Sequence, residues 1–118
     1  MTTIFGIKNC DTMKRARAWL EAHGVTYEFH DYKTAGIDRA TLEGWAKQTG
    51  WEALLNRSGM TFRKLTDSER EGMDQEKAMA LMVARPSVIK RPVLVVKGKV
   101  TVGFKPEEYE RLFEQRGK

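Results

Sequence analysis

A strand, a helix and a second strand follow one another in the first thirty residues, and this order restricts the possible folds more than any other feature of the sequence. Residues 2–7 form a short run rich in β-branched and aromatic side chains, which predicts a strand. Met13, Ala16 and Leu20 then recur at helical spacing, and residues 25–30 alternate apolar and polar side chains. A strand–helix–strand unit of this length pairs its strands in parallel, so we expect an α/β protein.

The middle of the chain has the pattern of several helices. Asp38 is placed to cap a helix that ends at Gly50. Residues 66–69 have the spacing of a capping box, and a further helix is expected to end before Pro86. Because no repeat, low-complexity segment or linker interrupts this region, it is read as part of the same domain.

Towards the end of the sequence, the pattern of apolar residues changes from helical spacing to short strand-like runs. Residues 92–96 and 99–102 predict two strands, and Lys97-Gly98 between them predicts a tight hairpin turn. Pro106 suits the first turn of a last helix. The second half of the sheet is therefore expected to be antiparallel.

The complete order of elements, βαβ, then helices, then ββα, is that of a thioredoxin-like fold with a mixed central sheet. We predict a single domain over residues 1–118 with a helical insertion at about residues 36–84. The order of the strands within the sheet is taken by analogy, since periodicity cannot supply it.

Composition and charge indicate which partners and which location to expect for this protein. The 118 residues include 21 lysines and arginines against 16 acidic residues, a net charge of +5, which favours anionic partners. One cysteine cannot form an internal disulfide, and no apolar run approaches the roughly 20 residues of a membrane helix or the form of a signal peptide. We therefore expect a cytoplasmic, monomeric protein that does not bind membranes.

That single cysteine, Cys10, falls where the first strand gives way to the first helix. A helix N-terminus carries unpaired N–H groups and partial positive charge, which favour the thiolate over the thiol. A cysteine so placed can be a nucleophile at neutral pH. The alternative is that Cys10 is a small buried apolar residue; its position favours the reactive interpretation. Asp11 would oppose ionisation, but it also suits the first turn of the helix.

The motif around Cys10 lacks a second thiol. Met13 occupies the position at which a dithiol oxidoreductase carries its other cysteine, and the chain has no further cysteine. A thiol–disulfide cycle must therefore end on an external thiol, for which glutathione is the obvious supplier.

Basic residues form two clusters that could bind an anion. Arg57 follows a pair of leucines, and Lys90 and Arg91 directly precede Pro92 at the start of a strand. In a thioredoxin-like fold this loop faces the nucleophilic cysteine and typically holds a cis-proline, so we predict a cis bond between Arg91 and Pro92. An arginine there could pair with a thiolate, a carboxylate or an oxyanion. For most other basic residues a solvated surface position is expected.

Three stretches resemble the arsenate reductase-like family, most closely its small bacterial branch with the Spx regulators and the YffB proteins. They are IFGIKNCDTMKRARAWLE, LLNRSGMTFRKL and ARPSVIKRPVLVVKGKVTVGFKPEEY, which span almost the whole chain in the family's order. The resemblance implies a thioredoxin-like fold with a helical insertion, a catalytic cysteine at Cys10 and a cis-proline at Pro92. It also implies anion-binding or glutathione-binding roles for Arg57 and Arg91, and for Lys105 where the family has a third arginine.

Two further positions depart from the family's pattern. The histidine that arsenate reductases carry four residues before the cysteine is Gly6 here, which argues against arsenate as substrate. The CxxC switch of the Spx regulators is absent because position 13 is Met13, which argues against control by an internal disulfide.

The leading hypothesis is a glutathione-dependent thiol or oxyanion reductase acting through Cys10, with glutathione or a glutaredoxin as partner and a small anionic or disulfide substrate. The alternatives are an arsenate reductase and a Spx-like regulator that binds RNA polymerase without catalysis. A direct nucleic-acid reader is disfavoured because the basic residues are dispersed. His23 and His30 lack further ligands at metal spacing, so no metal is predicted.

Overall fold

The computed structural model describes residues 2–114, apart from the side chain of residue 114. Four strands and eight helices are found in this range. The strands are β1 (Thr2–Gly6), β2 (Glu28–Asp31), β3 (Val93–Val96) and β4 (Lys99–Val102). The helices are α1 (Asp11–Ala22), α2 (Tyr32–Ala35), α3 (Arg39–Thr49), α4 (Trp51–Leu54), α5 (Met60–Arg63), α6 (Asp67–Arg70), α7 (Gln75–Ala84) and α8 (Pro106–Glu114), with a 3-10 turn at Pro86–Val88.

Contacts within the chain divide it into two units. The first combines the residues up to His30 with those from Arg91 onward, and the second is the continuous stretch Asp31–Lys90. The first unit contains the sheet, α1 and α8, while the second contains α2 to α7. The predicted helical insertion at about residues 36–84 falls inside the second unit, and the single-domain description stays a prediction.

The four strands form one sheet in the order β2-β1-β3-β4. Strand β1 pairs antiparallel with β3, from Thr2 opposite Val96 to Phe5 opposite Val93. Strands β3 and β4 form the predicted hairpin, whose turn residue Lys97 has φ +50°. This is the thioredoxin-like fold expected from the order of elements.

The core of the first unit lies where α1 and α8 pack on the sheet. Ile4 from β1 and Leu94 from β3 are fully buried with Met13 and Leu20 from α1 and Tyr109 from α8. Met13 and Leu20 are positions that the helical spacing of α1 predicted to share an apolar face. Since β1 lies between β2 and β3, it is hydrogen-bonded along both edges. The residues that follow β1 therefore start from a fixed position in the sheet.

Strand β2 begins later than the alternating pattern predicted. The N–H groups of Gly24 and Val25 donate to the carbonyls of Glu21 and Leu20, which closes the C-terminal end of α1. Gly24 has φ +69°, a left-handed conformation typical of this helix ending. Because these residues complete the helix end, the strand starts at Glu28 and not at position 25.

Four of the six helices of the second unit, α2, α3, α6 and α7, begin at a residue whose side chain accepts a backbone N–H of the first turn. The Asp38 carboxylate accepts the N–H of Thr41 at the start of α3, as predicted. Thr66 and Glu69 form the predicted capping box of α6. The four-residue helices α2, α4 and α5 were not predicted, since a single turn shows no periodicity.

Within residues 2–114, no helix is both long enough and apolar enough to cross a bilayer.

Candidate active site

Cys10 occupies the N-cap position of α1. Its backbone is extended, with φ −125° and ψ 128°, and its carbonyl accepts the N–H of Lys14 at 2.9 Å, the first hydrogen bond of the helix. The residue is half-buried. The sequence-based expectation of a cysteine at the junction of strand and helix is therefore met.

The electrostatic surroundings favour the ionised form of Cys10. Partial burial raises the pKa of the thiol, but the N–H of Met13, the guanidinium of Arg91 and the N–H of Thr12 outweigh it. The net pKa lies below the ordinary value of a cysteine thiol. The Cys10 side chain accepts no capping hydrogen bond, so the N–H groups of Thr12 and Met13 act on the sulfur as dipoles at the positive end of the helix. The site can therefore supply a thiolate nucleophile.

Arg91 reaches Cys10 from the loop before β3, in which Pro92 is the next residue. The Arg91-Pro92 peptide bond is cis, in agreement with the prediction. Pro92 is buried, and its carbonyl accepts the N–H of Gly103 at 2.8 Å, which ties this loop to the residues after β4. Arg91 is half-buried and acts on the Cys10 sulfur both as a hydrogen-bond donor and as a positive charge.

Lys105 and Arg57 are the other two predicted anion-binding residues. Lys105 is exposed in the first unit, directly before α8, and its carbonyl accepts the N–H groups of Glu108 and Tyr109. Arg57 is exposed in the second unit, with its guanidinium 6.0 Å from the ring centroid of Trp51. The structure thus brings Cys10 together with Arg91, whereas binding roles for Lys105 and Arg57 stay predictions.

A contact between Gly6 and Met13 is a further feature of this site that the sequence did not predict. A Cβ at position 6 would lie 2.3 Å from the Met13 sulfur and 2.8 Å from its terminal methyl carbon. Gly6 is buried and Met13 is fully buried. The alternation of β1 and the helical period of α1 each indicate an inward position, but neither pattern shows that these two residues touch.

Among residues 2–114, no group of three or more histidine, cysteine or acidic side chains is arranged to hold a metal ion.

Comparison with known proteins shows where this chain belongs. A YffB protein of known structure is 52% identical, covering 94% of this chain and 97% of its own, with a TM-score of 0.91. An arsenate reductase (ArsC) related protein from Brucella melitensis is 57% identical, covering 96% and 94%, with a TM-score of 0.75. The global transcriptional regulator Spx of Streptococcus agalactiae is 29% identical over 92% of this chain and 80% of its own. The model of the ArsC family matches residues 5–112. The chain belongs to the ArsC family.

Proposed function

We propose that this protein is a glutathione-dependent thiol reductase that uses Cys10 as its single nucleophile. The observation that carries the proposal is the environment of Cys10, a half-buried thiol at the start of α1 whose pKa is lowered by backbone N–H groups and by Arg91. A depressed pKa increases the thiolate fraction at neutral pH, and the thiolate is the form that attacks disulfides.

The proposed cycle reduces a mixed disulfide between a substrate thiol and glutathione. The Cys10 thiolate attacks the glutathione sulfur, the substrate–glutathione S–S bond breaks, and the substrate leaves as a thiolate that takes a proton from water. A second glutathione thiolate then attacks the glutathione sulfur bound to Cys10, which releases oxidised glutathione and regenerates the Cys10 thiolate. Each turnover consumes one mixed disulfide and one glutathione, and it yields one substrate thiol and one oxidised glutathione.

The basic residues give this cycle its preference for anionic reactants. Arg91 is proposed to stabilise the Cys10 thiolate and to hold one carboxylate of glutathione through paired N–H bonds. Lys105 and Arg57 are proposed to bind further anionic groups, a role that the family resemblance suggests. A glutaredoxin could replace free glutathione in the second step, since any accessible thiolate can attack the mixed disulfide.

Turnover of a mixed disulfide tests the proposal directly. The wild-type protein is mixed with a low-molecular-weight disulfide of glutathione, and the oxidised glutathione formed is followed by a coupled reductase assay. We expect turnover above the uncatalysed exchange, and we expect Cys10→Ser to reduce it to that background. The proposal is wrong if the wild-type protein forms no mixed disulfide and gives no turnover.

Arsenate reduction is the second candidate, favoured by the 57% identity to the arsenate reductase related protein of Brucella melitensis. Cys10 would form a thiolate–arsenate adduct, and two glutathione thiols would supply the two electrons, giving arsenite, water and oxidised glutathione. Gly6 stands where arsenate reductases carry histidine, which weighs against this reaction. Adding arsenate in place of the disulfide in the same assay separates the two activities.

The third candidate is a Spx-like protein that binds RNA polymerase without catalysis, suggested by the similarity to Spx of Streptococcus agalactiae. Met13 removes the second cysteine of a redox switch but leaves binding open. Absence of turnover with both disulfide and arsenate, together with co-purification with RNA polymerase subunits, would favour this candidate over the two reductases.

A further inference from the structure

The contact between Gly6 and Met13 links the end of β1 to the first turn of α1. The Met13 sulfur occupies the space that a side chain at position 6 would need, at 2.3 Å from the ideal Cβ position. Gly6 has no positive φ, so its backbone would accept alanine. An alanine at position 6 would therefore displace the end of the Met13 side chain, so the two residues form one packing unit.

Met13 is the residue that anchors the first turn of α1. Asp11 and Lys14 are exposed and Thr12 is half-buried, whereas Met13 is fully buried in the core of the first unit. Between β1 and α1, Ile7 is buried, whereas Lys8 and Asn9, which directly precede Cys10, are exposed and supply little packing. The position of this turn therefore depends on how the Met13 side chain is held.

Cys10 is the N-cap residue of α1, and the N–H groups of Thr12 and Met13 lie at the second and third helical positions, where they have no acceptor within the helix. A shift of the first turn would move both N–H dipoles relative to the Cys10 thiolate, whose pKa they lower. The side chain of Met13 thus packs against Gly6, while its backbone N–H stabilises the Cys10 thiolate.

We propose that Met13 is a positioning residue for Cys10, because its side chain, packed against Gly6, holds the first turn of α1 with the N–H groups of Thr12 and Met13 directed at the sulfur. Methionine at this position then has a role beyond the absence of a second thiol. The importance of this arrangement for turnover rests on the proposed reductase function, but the arrangement itself is measurable without any turnover.

The test measures the pH dependence of Cys10 alkylation by iodoacetamide in five variants. Gly6→Ala introduces a methyl group that displaces the Met13 side chain, and Met13→Ala removes that side chain. In each case we expect the apparent pKa of Cys10 to rise by roughly half a unit, the size typical of losing one helix N-terminal interaction. Met13→Leu keeps the apolar volume and should titrate like the wild type.

Leu20→Ala is the matched control for general loss of packing. Leu20 is fully buried in the same helix and the same core but lies more than a turn from Cys10. Its truncation should lower the melting temperature about as much as Met13→Ala while leaving the Cys10 titration unchanged. In Gly6→Ala/Met13→Ala the new methyl group meets no sulfur, so the shift should be smaller than the sum of the two single shifts.

The proposal is overturned if Gly6→Ala and Met13→Ala titrate like the wild type while their melting temperatures fall as in Leu20→Ala. If Met13→Ala does not fold, Gly6→Ala still probes the same contact and decides the question. A lowered wild-type pKa with these shifts but no turnover would remove the reductase function and leave the positioning role of Met13 standing.

Discussion

The reactivity of Cys10 can be checked from its titration. Because the pKa of its thiol is lowered in the folded protein, Cys10 should alkylate faster than a free cysteine at pH 7, with an apparent pKa below about 8.5. The same measurement in denaturant should return the ordinary thiol value. An apparent pKa at or above about 8.5 in the folded protein would contradict the electrostatic description of the site.

This pKa also predicts how stability depends on pH. A thiol whose folded pKa is depressed adds stability above its unfolded pKa, and that stability is lost as the pH falls through the folded value. The wild type should therefore gain stability relative to Cys10→Ser when the pH is raised from 6 to 9. Chemical denaturation at pH 6 and at pH 9 measures the free energy of unfolding of the wild type and of Cys10→Ser. If the two proteins differ by the same amount at both pH values, the folded and unfolded thiols titrate alike.

Arg91 is expected to act on Cys10 and on the substrate through different properties. Arg91→Lys keeps the charge but loses the planar fork, so it should mainly weaken substrate binding. Arg91→Ala loses both and should also raise the Cys10 pKa, with a cost in kcat/KM of about 1 to 3 kcal/mol. Lys90→Ala, which removes an adjacent exposed charge, is the control. If both Arg91 variants behave like Lys90→Ala, Arg91 has no role in the site.

Helix α8 contributes a buried hydroxyl that offers a test of packing. Tyr109 is fully buried among Trp19, Phe104 and Phe113, and among the described residues its hydroxyl has no hydrogen-bond partner. Burial without a partner also raises the pKa of this phenol. Tyr109→Phe should therefore stabilise the protein by about 1 kcal/mol, since an unsatisfied buried polar group is removed.

The same substitution at Tyr27 should destabilise the protein instead. The Tyr27 hydroxyl donates to Glu21 at 2.8 Å and accepts from Arg17 at 3.1 Å. Tyr27→Phe should lower the denaturation midpoint slightly, since it removes two hydrogen bonds at a partly exposed position. A destabilised Tyr109→Phe would indicate that the Tyr109 hydroxyl has a partner.

Elements with a clear period or cap could be predicted from the sequence. Helices α1, α3 and α8 and the hairpin of β3 and β4 agree with the predictions to within a few residues. The start of β2 was misplaced because Gly24 and Val25 close α1 through backbone hydrogen bonds, which alternation does not reveal. Single-turn helices were missed because four residues cannot display a helical repeat.

The candidate site could be predicted in part. Cys10 at a helix start and the cis bond before Pro92 follow from strand and helix order together with the family resemblance. The contact of Gly6 with Met13 could not, because a periodic pattern shows which face is buried and not which residue lies opposite. The missing information is the distance between two elements, which only packing determines.

Taken as a whole, the chain has one cysteine and therefore a restricted redox chemistry. Incubation with oxidised glutathione should add the mass of one glutathione at Cys10 and release one glutathione, with no internal bridge. Met13→Cys restores a two-residue spacing between cysteines and should instead lose two hydrogens and carry little adduct. The intact mass distinguishes these outcomes, and an unmodified wild-type protein would contradict the monothiol cycle.

The first unit is discontinuous in the sequence, so its two parts are synthesised at different times. Thr2 pairs with Val96, so β1 leaves the ribosome long before its partner strand is made. At the usual rate of synthesis, the intervening residues take on the order of 5 to 20 seconds. Asp31–Lys90 is translated without interruption during this interval. A nascent chain halted before β3 should therefore hold structure in Asp31–Lys90 while the edge of β1 that pairs with β3 is still open, and this edge stays available to chaperones until β3 is synthesised.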